Sequence, residues 1–378
     1  MRNWKRVLVI ANAQFGNHRN LLKGIAEFSQ EIADWEVEIS SVEDLNSEYD
    51  PGIVGYIAPQ AAIQTPWFHQ LMQNKTPLVF YGNRINQPPF NKASQFFPDE
   101  KQIGKLAATH LINKGFHEVA YISHDTWPCS EERGHGFADI FHDKSRDIKT
   151  FYFPKNNEKK AFLKWLSQPG GSKAVFCVTD IVSSQVLLLA RQHGFQCPKD
   201  YSLLGVDNNE LLCTLSYPSL SSIATNWFGM GYDVAQQLNK EMNGPSKSVN
   251  KTCPPDQVIT RTSTDLMGVD DELVLKAFQY IQRNFKNAIS TESVVTLMHV
   301  SRPTLDNRFK KVFGKSVSEQ INDLRIEFAS HLLRSSSMNI QTITNECGIL
   351  NNDRLYRLFH KRYGLTPGEY RKQHLKED

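Results

Sequence analysis

Ser301-Arg-Pro-Thr-Leu-Asp-Asn-Arg-Phe-Lys-Lys-Val-Phe-Gly314 decides how the last third of this 378-residue chain folds. Ser301 can cap a helix, and a proline two positions later is compatible with a first helical turn. Leu305 and Phe309, four apart, give that helix one apolar face. The other face carries Arg302, Thr304, Asp306, Asn307, Lys310 and Lys311. The theme returns downstream. Cys347-Gly-Ile leads into a helix with Leu355, Leu358 and Phe359 on one side and Asn352, Asp353, Arg354, Tyr356, Arg357 and Lys361 on the other. Segments Val294–Lys311 and Ile340–Lys361 thus each read as a helix, a tight turn and a basic second helix.

Arg and Asn can hold guanine and adenine edges through paired hydrogen bonds, and Lys can pair with phosphate. One such helix alone is most simply a solvated face. Two copies about one linker helix apart point instead to a surface that contacts DNA. Phe309 and Phe359 lie on the apolar sides and belong to the core.

Working outward, the chain from Asp271 on shows amphipathic helices and no strand pattern, with Leu273, Ala277, Tyr280 and Ile281 forming the first helix face. Residues Ser263–Val269 read as a linker, which sets domains at 1–265 and 266–378. Charge follows the same division. Of 43 Lys and Arg and 40 Asp and Glu, residues from Asp270 onward hold 17 and 13, a net of +4. The remainder holds 26 and 27, a net of −1. The excess positive charge lies wholly in the last third, as a nucleic-acid module would have it.

The first two-thirds alternates strands and helices. Strands are expected at Arg6–Ile10, Val37–Ser40, Ile53–Ala58, Pro77–Tyr81, Val119–Ser123, Lys149–Phe153, Ala174–Val178, Ser202–Val206 and Gln257–Thr262. Helices are expected at Arg19–Ile32, Glu100–Lys114, Ala161–Ser167 and Val182–His193, and Asn243–Pro255 reads as a surface loop. Apolar strands separated by helices argue for two parallel sheets covered on both faces. Ligands of open α/β sheets bind beyond the carboxyl ends of the strands. The residues there are polar: Asn12 and Gln14, Asp99, His124 and Asp125, Thr179 and Asp180, Asp207 and Asn208. One polar residue after a strand is ordinary turn chemistry. Five clusters suggest a shared cleft.

These motifs carry a family resemblance. Residues 301–314 resemble the first recognition helix of AraC/XylS-family regulators, and Leu324–Leu333 their linker helix. Cys347-Gly-Ile with Leu355–Arg371 resembles their C-terminal signature. Leu350 departs from it, standing where a polar residue is common. The resemblance implies a double helix-turn-helix domain on promoter DNA. Arg302, Pro303, Asp306 and Asn307 would face bases from the first helix, and Asn352, Asp353 and Arg357 from the second. Lys310 and Lys361 join them as DNA contacts. Asp306 and Asp353 would repel phosphate but could accept from cytosine amino groups.

The first two-thirds is similar to the LacI/GalR and periplasmic sugar-binding fold, through Asp99, His110–Ile122, Arg133-Gly-His-Gly-Phe137, Val178-Thr-Asp180 and Leu204–Asn208. The fold so implied is an α/β, two-lobed, type I periplasmic-binding-protein-like sensor followed by an all-α DNA-binding domain. Asn12, Arg19, Asp99, Arg133, Asp180 and Asp207 would contact a sugar, and the overall resemblance implies a pentose such as xylose. Ionised groups strengthen hydrogen bonds to hydroxyls. Phe15, Trp127 or Trp227 could stack on a sugar face, although plain core packing is the simpler reading of each. A homodimer in the cytoplasm, working with RNA polymerase and activating catabolic genes, completes the expectation.

Other classes find little support. The apolar core of the N-terminus, Val7–Ile10, is shorter than the roughly 7–15 residues of an export signal. No apolar run approaches the roughly 18 residues of a membrane span. The six cysteines form no CxxC pair, which argues for reduced thiols rather than structural zinc. The histidines form no HxxxH pair, Gly229-Met-Gly231 lacks a third glycine, and no nucleophile elbow is present. No cofactor or metal is expected. Two rivals stay open at this stage, a sugar-binding receptor and a sugar-modifying enzyme.

Overall fold

The apolar run Val7–Ile10 is buried within β1 (Lys5–Ile10), a strand flanked on both sides by parallel neighbours. This computed structural model describes residues 4–45, 50–73, 76–84, 92–142, 148–265, 271–336 and 338–374. They divide into two compact units, Met1–Leu111 with Phe116–Leu266, and Met267–Asp378 with Ile112–Gly115. The expected linker is described only through Asp265, and residues 266–270 lie outside the described residues.

The first unit holds two six-stranded sheets. One runs β11-β5-β4-β3-β1-β2, built from Asn250–Cys253, Ser94–Pro98, Leu78–Tyr81, Ile53–Pro59, Lys5–Ile10 and Trp35–Ser40. The other runs β12-β10-β9-β8-β6-β7, built from Gln257–Ile259, Ser221–Ala224, Tyr201–Val206, Lys173–Cys177, Glu118–His124 and Ile148–Phe153. Every pairing is parallel except that of β10 with β12. The chain enters the second sheet after β5, returns for β11 and crosses again for β12, so three segments join the lobes.

Two expectations need correction here. The loop at 243–255 contains strand β11, which pairs through its backbone with β5. Its residues Asn250–Thr252 are exposed and polar, so no side-chain pattern announces it. The final strand ends at Ile259, and Thr262–Thr264 form a 3₁₀ turn.

Glycines set the helix packing that builds the site. Helix α3 (Glu100–Asn113) crosses α4 (Cys129–His142) at backbone distance. A Cβ on Gly104 would lie 2.0 Å from the Arg133 carbonyl oxygen, and one on Gly136 would lie 2.0 Å from that of Lys101. Any side chain at these two glycines would keep the N-terminal half of α3 from the middle of α4.

The second unit has seven helices among its described residues: α9 (Glu272–Asn284), α10 (Thr291–Met298), α11 (Arg302–Phe313), α12 (Val317–Ser335), α13 (Ile340–Glu346), α14 (Asn352–Tyr363) and α15 (Pro367–His374). Two cores form, one around Phe278, Leu305, Phe309 and Phe313, the other around Ile343, Ile349, Leu355 and Phe359. Helix α12 joins them, giving Val317 and Ile321 to the first and Ile326, Ala329 and Leu333 to the second. Between these, the Arg325 guanidinium donates to the carbonyls of Phe285, Asn287 and Ile289 at 2.8, 2.8 and 3.1 Å. The buried face of α9 is Val274, Ala277, Phe278 and Ile281, with Leu273 and Tyr280 on its flank. The buried face is rotated from the expected one toward Val274 and Phe278.

Candidate functional site

Beyond the carboxyl ends of both sheets lies a cavity of about 600 Å³, lined by residues of the two lobes. Its first-lobe wall is aromatic. The His18 ring stands edge-on to Phe15 and Tyr81, with centroids 5.7 and 5.6 Å away, and tilts against Trp227 at 6.2 Å. The Asn12 N–H donates to His18 Nδ1 at 3.0 Å, so the remaining proton sits on Nε2. Burial lowers the His18 pKa and keeps the ring neutral. Trp227 is 7% exposed, and its indole N–H finds no partner among the described residues.

The second-lobe wall is charged. Arg133 is 3% exposed, donates from Nε to Glu100 Oε2 at 2.5 Å, and donates from a terminal nitrogen to the Val178 carbonyl. Burial would lower the Arg133 pKa, but Glu100, Cys129 and Asp207 outweigh it and hold the guanidinium charged. Burial pushes the Glu100 and Asp207 carboxyls up, and Arg133 opposes the rise in both. Asp180 is pushed up to about 7 by burial and then by the Asp207 charge.

Asp207 is presented by a strained turn. Its φ is 97° and that of Asn208 is 46°, left-handed values that cost a non-glycine residue about 1–2 kcal/mol. Three side chains hold this turn. Ser222 Oγ accepts from the Asn208 N–H at 2.9 Å, Arg261 donates to Asn208 Oδ1 at 2.8 Å, and Asp180 Oδ2 accepts from the Asn209 N–H at 2.8 Å. Cys213 also donates to Asp180 Oδ2, at 3.3 Å. Asp180 Oδ1 makes no hydrogen bond among the described residues.

Of the six sugar contacts expected, Asn12, Arg133, Asp180 and Asp207 come together around this cavity. Asp99 and Arg19 are not among its lining residues. Asp99 accepts from the Gln102 N–H at 2.9 Å as the cap of α3. Arg19 donates to the Ala13 and Gln14 carbonyls at 3.0 and 2.9 Å, fastening the turn that carries Asn12. Sequence reasoning missed Glu100, His18 and Tyr81. Glu100 had a signal: of two acids at a helix start the first caps, which leaves the second free to turn inward. Of the aromatics considered, Phe15, Trp127 and Trp227 all line the cavity, while His124 and Asp125 line a neighbouring one with Trp127 stacked 4.1 Å from His124.

On α11, Arg302, Pro303, Asn307 and Lys310 are exposed. Arg302 donates to Glu292 at 2.9 Å and lies 3.6 Å from Asp306. Asp306 accepts from the Val317 N–H at 3.0 Å, which ties α11 to the start of α12. On α14, Asp353, Arg357 and Lys361 are exposed. Asn352 is half-buried, accepting from Thr344 Oγ1 at 2.6 Å and donating to Gln341 at 2.9 Å, so its amide fastens α14 to α13. No group of residues suited to a metal occurs among the described residues, and all six cysteines are free. No described helix is long and apolar enough to cross a membrane.

A two-lobed cleft and a pair of helix-turn-helix units define a ligand-responsive, DNA-binding transcription regulator, and comparison with known proteins agrees. Residues 108–264 match the periplasmic binding protein-like domain and residues 294–373 a helix-turn-helix domain. The chain is homologous along nearly its whole length to xylose operon regulatory proteins. It is 27% identical to that of Haemophilus influenzae, covering 97% of this chain and 98% of the relative, and 25% identical to that of Escherichia coli K12, covering 97% and 96%. A solved structure of the xylose-binding transcription activator xylR shares the fold, with a TM-score of 0.60 and 24% identity over 98% of this chain and 99% of that one. These relatives are regulators rather than enzymes or receptors.

Proposed function

We propose that this chain senses a neutral sugar, a pentose such as xylose, and converts its binding into activation of catabolic genes. The observation that carries the reading is the pairing of an aromatic wall with a buried carboxylate–guanidinium wall across one cavity. Aromatic faces suit the C–H face of a pyranose, while Asp207, Arg133 and Asn12 offer charged and amide partners to its hydroxyls. The names of the full-length relatives support xylose. Sugar must bind one lobe arrangement better than the other, since only differential affinity shifts an equilibrium. Asp99 and Arg19 act through the backbone turns they fasten, and Asp180 acts by presenting Asp207. Arg302, Pro303, Asp306, Asn307, Lys310, Asn352, Asp353, Arg357 and Lys361 form the DNA surface, with Asp306 and Asn352 contributing chiefly by bracing their helices.

The protein works in the cytoplasm as a homodimer that also meets RNA polymerase. Exposed Leu188, Leu211, Leu215 and Tyr217, clustered on α6 (Asp180–Gln192), α7 (Glu210–Leu215) and the turn after it, support self-association. Calorimetry with xylose tests the effector. Asp207→Ala should weaken binding by about 1–3 kcal/mol, the cost of leaving hydroxyl partners unpaired. Unchanged affinity would remove Asp207 from the pocket's working residues.

A further inference from the structure

The two helix-turn-helix turns differ by one residue. In the first, left-handed His299 (φ 56°) is followed by Val300 and then by Ser301, the cap of α11. In the second, left-handed Gly348 (φ 65°) is followed by Ile349, Leu350 and then Asn351, the cap of α14. Val300 packs on the first core and Ile349, 4% exposed, on the second, so these two do the same work. Leu350 is the extra residue. It is 78% exposed, and Asn351 and Asp353 beside it are exposed as well.

Such a residue brings no return within the fold. A leucine kept in water forfeits the burial that would reward it, and a polar residue would serve the turn equally well. Its place supplies the return. Recognition helices meet base edges with their N-terminal residues, and Leu350 stands immediately before the cap of α14. The one apolar group on a major-groove edge is the C5-methyl of thymine. We propose that Leu350 is a specificity-determining residue that packs against a thymine methyl in the half-site read by α14. This rests on the reading of α14 as a DNA-contacting helix.

The test uses the full chain and an operator that it selects from a randomised duplex library. Each thymine is replaced in turn by deoxyuridine, which removes the methyl and nothing else. Wild-type protein should lose about 4-fold in affinity at one thymine, the worth of one buried methyl. Leu350→Ala should bind the unmodified operator more weakly by a similar factor and should lose the deoxyuridine effect at that position alone. At 78% exposure the substitution leaves folding intact, which circular dichroism confirms. A Leu350→Ala protein with the wild-type deoxyuridine profile overturns the inference while DNA reading by α14 stands. A chain that selects no sequence overturns both.

Discussion

Arg133 in the cleft is 3% exposed and is held through Nε by Glu100 and through one terminal nitrogen by the Val178 carbonyl, whereas Arg357 on α14 is exposed and makes no ion pair among the described residues. The same contrast runs through both regions. Asp180 is buried and Glu100 and Asp207 are half-buried, and loss of water is the largest influence on the pKa of each. Asp353 and Lys361 stand in water. A buried charge must be held by its neighbours before a ligand arrives, so the cleft is coupled to the stability of its unit. An exposed charge waits for its partner at little cost, so Arg357, Asp353 and Lys361 are uncoupled from folding.

The largest effect should therefore come from removing Glu100. Glu100→Ala leaves a buried guanidinium without its carboxylate, which should cost about 3–5 kcal/mol. All six tryptophans lie before residue 228, so fluorescence during urea unfolding reports the first unit alone. Arg357→Ala should stay within about 0.5 kcal/mol of wild type when the second unit is followed by circular dichroism. Equal stability losses in the two variants would break the comparison.

The next effect depends on pH. Asp180 titrates near 3.8 when unfolded and near 7 when folded. Between those values the folded state keeps a proton that the unfolded state has released, so stability is fully present at low pH and is lost as pH rises toward 7. Asp207, Ser222, Cys213 and the Asn209 N–H surround this carboxyl. The urea midpoint of the first unit should fall from pH 4.5 to 7.5, and Asp180→Asn should flatten the slope. An identical slope in the variant would show that Asp207 and Glu100 carry the titration instead.

What the sequence made legible follows the same line between water and interior. The recognition helices announced themselves because exposed charge and buried Leu and Phe alternate with helical period. The apolar strands were legible for a related reason. Strands β5 and β10 were not, since they bury polar residues. Ser94 is 1% exposed and donates to Glu241 at 2.5 Å, and Ser221 is fully buried and donates to the Arg261 carbonyl at 2.9 Å. Partners 147 and 40 residues away satisfy these hydroxyls, and no local pattern records them. Asp99 and Glu100 show the limit within the site itself. Their chemistry is one, but the helix geometry turns one to the cap and the other to Arg133.

The smallest effects distinguish two exposed cations on a single helix face. Arg357 and Lys361 are four residues apart on α14, opposite buried Leu355 and Phe359, and so point the same way. Arg357 lies nearer the N-terminus of α14, the end with which recognition helices in general meet base edges, and its fork can hold guanine O6 and N7 together. Arg357→Ala should cost about 1–3 kcal/mol at one base pair of the operator and relax the preference there. Lys361 lies one turn further along, where a phosphate is within reach. Lys361→Ala should weaken every operator by a similar factor and reduce the slope of log affinity against log salt by about one unit. Both variants are measured against single-base operator mutants at several salt concentrations. Uniform weakening by Arg357→Ala, with base preference intact, would make Arg357 a backbone clamp and move base reading to Asp353 at the start of the helix.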